Sequence, residues 1–282
     1  MSRTTHGPPS APSRRSRRVR RVPAILLGVA GVHGVALAVA VGVPAAWPWA
    51  LAAALLSHVA VAALSLTPRT RWLGPNLVRL PPGRAARAEV AITIDDGPDP
   101  QVTPAVLDIL DAHGAKASFF CIGERVARHP ELAREIVRRG HRVENHSARH
   151  RHDFSLLGPQ AQRREVAAGQ ALIEAAVGVA PCYFRAPAGF RNPWCWPALE
   201  QAGLRLASWT RRGFDTRDGD AARVLRRLTD NLAAGDILLL HDGHCAVTAA
   251  GTPVILEVLP ELLDHLSRRA LRAVALPPDD RC

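Results

Sequence analysis

The chain has 282 residues, enough for one or two domains, and its 48% hydrophobic and 22% charged residues exclude general disorder. The net charge of +11 is uneven: residues 1–88 carry twelve arginines and no acid, whereas residues 89–282 sum to −1. A near-neutral body behind a basic N-terminal segment argues against a nucleic-acid-binding domain, which would carry its charge on the folded surface.

Residues 1–21 are rich in Pro, Ser and Arg and read as a disordered basic tail. Val22 to Val43 and Ala45 to Leu66 are then two runs without a formal charge, and Pro44 and the Trp47-Pro48-Trp49 triplet break the pattern between them. As helices each run would reach roughly 33 Å, enough for a hydrocarbon core of about 30 Å, and Trp favours the membrane interface. Residues 22–66 therefore read as a two-helix transmembrane hairpin. Ala36-Leu37-Ala38 resembles a signal-peptide cleavage site, but the apolar stretch is too long for a secretory leader and a second full span follows. Arginines precede the first span and follow the second (Arg69, Arg71), and none lies between them. Both ends are thus expected on the cytoplasmic side, with an extracytoplasmic placement as the alternative. Residues 67–88 read as a linker.

From residue 89 the pattern alternates. Strands are expected at Val90 to Ile94, Ala117 to Ile122, His141 to Asn145, Cys182 to Arg185, Leu204 to Trp209, Ile237 to Leu240 and Leu271 to Leu276. Helices are expected from Thr103-Pro104 to Gly114, then at Glu131 to Arg139, Pro159 to Val177, Pro197 to Gln201, Ala221 to Ala233 and Val254 to Arg268. Such βα repetition points to a parallel barrel or an open parallel sheet. Cys121, Cys182, Cys195, Cys245 and Cys282 are scattered without C-x-x-C spacing, which reads as buried reduced thiols, not a disulfide framework.

Asp95-Asp96, His146, Arg185 and His241 each fall just after an expected strand, the end that carries the active site in βα-barrels. His146 and His150, four apart, would share one face of a helical turn and grip one metal ion. In an extended segment Asp95 and Asp96 would point to opposite faces, one binding the metal and the other left free as a base. Adjacent carboxylates do not flank a glycosidic bond from two sides, which weighs against a glycosidase. Phe190, Trp194 and Trp196 could stack on a sugar or pack in the core. His113, His129, His152 and His244 read as structural or solvated. No Walker sequence, G-x-G-x-x-G or H-E-x-x-H motif is present.

I-T-I-D-D-G-P (92–98), H-S-A-R-H (146–150), F-R-A-P-A-G (184–189), G-F-D (213–215) and L-L-L-H-D (238–242) together resemble the five ordered motifs of the NodB-homology polysaccharide deacetylases, carbohydrate esterase family four. The resemblance covers roughly residues 89–245. It implies a deformed (β/α) barrel over residues 89–282 and a metal-dependent hydrolase of the N-acetyl or N-formyl amide of an amino sugar. The substrate would be a lipid-linked sugar or a cell-envelope glycan. Carried over by position, the resemblance makes Asp95 the catalytic base, with Arg185 as its partner. Asp96, His146 and His150 would be the ligands of a divalent metal, Zn²⁺ or else Co²⁺, Mn²⁺ or Ni²⁺. Ala188 would supply the oxyanion N–H, Leu239 the acyl pocket, His241 the general acid and Asp215 the carboxylate that tunes it. Ala186 and Ala188 depart from the frequent Pro and Tyr, and Asp215 follows Phe214 where the family usually has Trp beside Asp. The competing expectation is a catalytically silent glycan-binding domain on a membrane anchor.

Overall fold

The computed structural model describes residues 22–278, so the expected disordered tail 1–21 lies outside the described residues. Helices α1 (Ala24–Gly42) and α2 (Trp47–Ser65) pack side by side, joined by a short 3-10 turn at Pro44–Ala46. Both are long and apolar enough to cross a membrane, with mean hydropathies of 2.3 and 1.6, and almost none of their surface is buried inside the protein. Their only polar cross-contact is between His33 Nε2 and His58 Nε2, 3.2 Å apart.

The body begins with a one-turn helix, α3 (Pro82–Ala85), and then runs β1 (Glu89–Asp95), α4 (Thr103–Ala112), β2 (Ala117–Cys121), α5 (Gly123–Arg128), α6 (Pro130–Arg138), β3 (Arg142–Asn145) and α7 (Pro159–Val177). It continues through β4 (Tyr183–Phe184), α8 (Cys195–Ala202), β5 (Arg205–Leu206), β6 (Arg211–Arg212), α9 (Ala221–Thr229), β7 (Ile237–His241), α10 (Val254–Arg268) and β8 (Arg272–Val274). All seven expected strands are present. The sequence pattern missed β6, whose two residues are arginines, and the short helices α3, inside the segment read as a linker, and α5, too short to show a period. It also ran α9 four residues too far.

Every strand pairing is parallel, in the order β5-β4-β3-β2-β1-β7-β6, with β8 on the first half of β1. The two outer strands of that order, β5 and β6, are joined by only four residues, 207–210. Four residues reach about 14 Å, far less than the width of seven flat strands at about 4.8 Å spacing, so the sheet must curl until its edges nearly meet. This is the deformed barrel that the resemblance implied.

Strand parity decides what faces the inside. Val90, Ile92 and Ile94 of β1, with Leu238 and Leu240 of β7, face outward into the large core shared with α4, α6, α9 and α10. Ala91 of β1, Phe120 of β2 and Ile237 and Leu239 of β7 face inward, packed with Tyr183 and Trp209. The same parity carries Thr93, Asp95 and His241 to the inside. Asp95 and His241 are register partners at the C-terminal ends of neighbouring strands.

β4 is short, with a single paired position on β3 (Asn145 with Phe184). The buried Glu144 carboxylate reinforces it by accepting the backbone N–H groups of Cys182 (2.8 Å) and Tyr183 (2.7 Å) and a bond from Arg142. Burial pushes the Glu144 carboxyl above its usual range, against those three donors. Cys121 and Cys195 are buried free thiols and Cys245 is free, as expected, but Cys182 is disulfide-bonded. For that residue the reading as a reduced thiol is corrected; spacing alone could not show which cysteines the fold brings together.

Helix α7 approaches the loop after β3 closely, because Gly169 has no side chain. A Cβ there would fall 2.6 Å from Asn145 Oδ1 and 2.8 Å from the carbonyl carbon of Ser147. Gly169→Ala should therefore destabilise the fold by about 1–3 kcal/mol through overpacking, measured as a lowered midpoint of chemical unfolding.

Candidate active site

The inward-facing ends of the strands line a cavity of about 330 Å³, with Asp95, Asp96, His146, His150, Ala188, Leu239 and His241 in its wall. Seven of the nine residues singled out in the sequence thus line the cavity, and the other two, Arg185 and Asp215, bond directly to its wall residues Asp95 and His241.

Arg185 is fully buried just after β4. Its Nη1 donates to Asp95 Oδ1 (2.6 Å) and Thr93 Oγ1 (2.8 Å), its Nε to the carbonyl of Ala207 and its Nη2 to that of Ser208. The guanidinium carbon lies 4.0 Å from the centre of the Phe120 ring. Burial draws the Arg185 pKa down and the Asp95 carboxylate opposes it, so the pair holds the charge in place. Asp95 keeps its other oxygen, Oδ2, toward the cavity, 3.8 Å from His146 Nε2.

Asp96 does not point to the opposite face from Asp95, as an extended segment would require. Its φ of 74° turns the chain at the end of β1, so both carboxylates enter one cavity. Nor do His146 and His150 lie on a helical turn. Their segment is a loop with Ser147 and His150 at φ of 65° and 52°, values that no right-handed helix contains. The imidazoles meet, with ring centres 4.8 Å apart, because Ser147 Oγ accepts the His150 N–H (3.0 Å) and Asn145 Oδ1 accepts that of Ser147. Glu165 on α7 holds Arg149 between them.

The ligand test is geometric. His146 Nδ1 bonds to the Arg185 carbonyl (2.8 Å), an oxygen that can only accept, so Nδ1 carries the hydrogen and Nε2 is left as a ligand atom. That Nε2 lies 3.2 Å from Asp96 Oδ1, and His150 Nε2 lies 3.1 Å from the same oxygen. Asp96 Oδ1 is buried, yet takes no hydrogen bond among the described residues. The three ligand atoms lie within 4.8 Å of one another and converge on a common point, which suits a divalent ion with an open position. Burial alone would raise the Asp96 pKa, but the imidazoles of His146, His244 and His150 outweigh it and hold the carboxyl well below the usual range. Burial and the neighbouring His146 lower the His150 pKa to about 4.

Opposite this cluster, Asp215 grips His241 twice. Its Oδ1 lies 2.9 Å from the imidazole Nδ1 and its Oδ2 accepts the His241 backbone N–H at 2.7 Å. Burial would lower the His241 pKa, but the Asp215 charge and hydrogen bond overcome it and the net shift is upward. Ala188, at φ 54°, and Leu239 also line the cavity wall.

Several cavity residues escaped the sequence reading. His244 and His152, read as structural or solvated, line the cavity. His244 accepts a bond from Arg125 at Nε2 (2.9 Å) and presents Nδ1 3.3 Å from Asp96 Oδ2, orienting that carboxylate. A φ of 58° three residues after His241 makes that possible, and nothing in the sequence signals it. Trp209, Arg212, Thr216 and Arg217 also line the cavity, whereas Phe190, Trp194 and Trp196 do not. Trp196 packs under Gly74, with no room for a Cβ between them.

Comparison with known proteins agrees with this architecture. A family model described as polysaccharide deacetylase matches residues 83–207. The chain is 35% identical over 177 residues to a peptidoglycan-N-acetylglucosamine deacetylase of Bacillus cereus, covering 61% of this chain and 81% of that protein. It is 36% identical over 198 residues to a chitooligosaccharide deacetylase of Bradyrhizobium sp., covering 67% and 89%. Among solved structures, a family 4 carbohydrate esterase from Streptomyces lividans in complex with acetate superposes with a TM-score of 0.59 at 28% identity, covering 66% of this chain and 91% of that one. With these relatives beside the fold and motifs described above, the chain belongs to the polysaccharide deacetylases of the NodB-homology type, carbohydrate esterase family four, and is a deacetylase.

Proposed function

We propose that the protein is a membrane-anchored, metal-dependent de-N-acylase that hydrolyses the N-acetyl or N-formyl amide of an amino sugar, in a lipid-linked sugar or a cell-envelope glycan. The observation that carries this reading is the meeting, in one cavity, of an arginine-held carboxylate, a carboxylate-held imidazole and a three-residue ligand cluster. The chain is organised in this reading as a basic tail (1–21), a membrane hairpin (22–66), a connecting segment (67–88) and the catalytic domain (89–282).

Asp96, His146 and His150 would hold the ion, Zn²⁺ or one of Co²⁺, Mn²⁺ and Ni²⁺, which when bound polarises the amide carbonyl and acidifies nearby water. Asp95 Oδ2 takes the proton of the attacking water while Arg185 fixes Oδ1, so the base has one orientation. The Ala188 N–H faces the oxygen that gains charge as the carbonyl carbon becomes tetrahedral, and Leu239 receives the apolar end of the acyl group. His241, held at Nδ1 by Asp215, presents Nε2 to the sugar nitrogen and delivers a proton as the C–N bond breaks. The products are a carboxylic acid and a free amino sugar.

The arginines flanking the two spans support placing the domain on the cytoplasmic face. The disulfide at Cys182 is the observation that favours the opposite, oxidising face. A green fluorescent protein fused to the C-terminus should fluoresce; activity of an alkaline phosphatase fused there would overturn the cytoplasmic placement.

Purified protein should release acetate or formate from N-acylated amino sugars, and lose that activity to a chelator. Asp95→Asn should lower kcat by about 10²–10⁴-fold, read against its unfolding midpoint because Arg185 loses its charged partner. Failure to release any acid with any added divalent metal would instead support a silent glycan-binding domain. Removing the Asp215 charge takes away what stabilises the imidazolium of His241, so its pKa should fall. The alkaline limb of the kcat/KM profile of Asp215→Asn should therefore move to lower pH; an unmoved limb would separate Asp215 from the acid role.

A further inference from the structure

The junction between the apolar hairpin and the body is bonded, not slack. The carbonyl of Ser65, the last residue of α2, accepts the backbone N–H of Arg191 (3.1 Å). Three residues on, the Pro68 carbonyl accepts from Arg191 Nη1 (2.9 Å), Asn76 Nδ2 (3.0 Å) and Ser208 Oγ (2.8 Å), and Arg69 Nη1 donates to the Thr210 carbonyl (3.2 Å). Pro68 packs on Gly189, where an added Cβ would lie 2.9 Å from the proline Cβ and 2.5 Å from the Trp209 ring. Gly189 and Trp209 themselves line the catalytic cavity. The second apolar helix thus ends one layer of side chains behind the cavity wall.

The exposed apolar surface falls on the same side. Beyond Leu66, the large apolar side chains left exposed are Trp72, Leu156, Val179, Phe214 and Val247. Trp72 belongs to the junction, and Leu156, Phe214 and Val247 sit in the loops after β3, β6 and β7, on the catalytic rim. Only Val179, before β4, lies at the other end of the sheet. A rim with apolar tips beside a helix followed within seven residues by Arg69, Arg71 and Trp72 has the make-up of a membrane-interface surface.

Charge at the cavity adds the chemistry of the ligand. Arg212 and Arg217 both line it, and neither has an acidic side chain within ion-pair distance among the described residues. Arg212 is held over the Phe214 ring (5.0 Å) and the Trp209 ring (5.7 Å), and its Nε is buried without a hydrogen-bond partner. The charges of Asp215, Asp95 and Asp96 act on Arg212 only from a greater distance, and a partly buried guanidinium with no bonded acidic partner is poorly satisfied until an anion arrives.

Resting on the de-N-acylase reading above, we propose that the catalytic rim is seated on the bilayer surface and that the cavity takes an N-acylated amino sugar carried by a phosphate-linked membrane lipid, with Arg212 and Arg217 receiving the phosphate.

The full chain in phospholipid nanodiscs tests this with three probes. These are N-acetylglucosamine 1-phosphate esterified to a long isoprenoid alcohol within the bilayer, the soluble methyl ester of the same sugar phosphate, and a neutral N-acetylglucosamine tetramer. Acetate release should give the highest kcat/KM for the bilayer probe, at least about tenfold above the soluble ester, with the tetramer lowest. Arg212→Gln/Arg217→Gln should lower kcat/KM on the phosphate probes about 10–100-fold more than on the tetramer, mainly through KM, with partial recovery in Arg212→Lys. Equal turnover of the two phosphate esters would overturn the membrane seat. A preference for the tetramer, which is the outcome expected of a glycan-strand deacetylase, or an equal loss on all three probes would overturn the phosphate site. Binding of the isoprenoid probe, measured by titration calorimetry, separates the two readings: arginine-dependent binding without release of acetate from these probes or of formate from their N-formyl counterparts would sink the de-N-acylase reading and leave the phosphate site standing.

Discussion

The site depends on a buried charge that must be neutralised. Arg185 is fully enclosed, and its guanidinium is satisfied only because β1 supplies Thr93 and Asp95 while the segment after β5 supplies two carbonyls. Those partners come from opposite parts of the curled sheet, so the pair can form only when the barrel has curled. A charge that deep is tolerable only when paired and hydrogen-bonded, which couples the shape of the sheet to the orientation of one carboxylate. The same side chain, through its backbone carbonyl, sets the tautomer of His146. The Asp95 carboxylate and the cluster of Asp96, His146 and His150 are therefore aligned by one residue.

Around that centre the backbone is held in conformations that side chains ordinarily avoid. Asp96, Ser147, His150, Ala188, Phe214 and His244 all have positive φ, and all lie in or beside the cavity. Each such residue costs of order 1–3 kcal/mol and persists only where the surroundings over-determine it. Here the surroundings are visible: Asn145 and Ser147 side chains tie the His146–His150 loop, Gly169 lets α7 press against it, and Asp215 clamps His241 from behind. The strain converts residues adjacent or four apart in sequence into groups that share one point in space.

Much of this was readable from residue order. The two apolar runs, the βα alternation and the placement of polar residues at strand ends follow from hydrophobic period and punctuation, which are local properties of the chain. The missed elements have local reasons too. β6 is two arginines, a pair that no strand propensity favours, and it exists because β7 offers Leu238 and Leu239 for pairing. The Asp95-Asp96 step and the His146–His150 step were misjudged in geometry though not in membership. A regular strand or helix was assumed where the chain turns through left-handed conformations, and φ is not written in residue identity outside glycine and proline.

What the sequence determined by itself was the inventory: an apolar hairpin, a parallel αβ body, and the carboxylates, imidazoles and arginine that chemistry would use, each placed at the end of a strand. Tertiary structure alone decided which of them touch. It brought His244 onto Asp96, left Arg212 and Arg217 at the cavity without an ion pair among the described residues, and bonded the end of α2 to Arg191, just behind the cavity wall. The physical reason is that strand parity and hydrophobic period act over a few residues. These contacts span tens to more than a hundred residues, and they exist only once the sheet has curled far enough to bring its edges together.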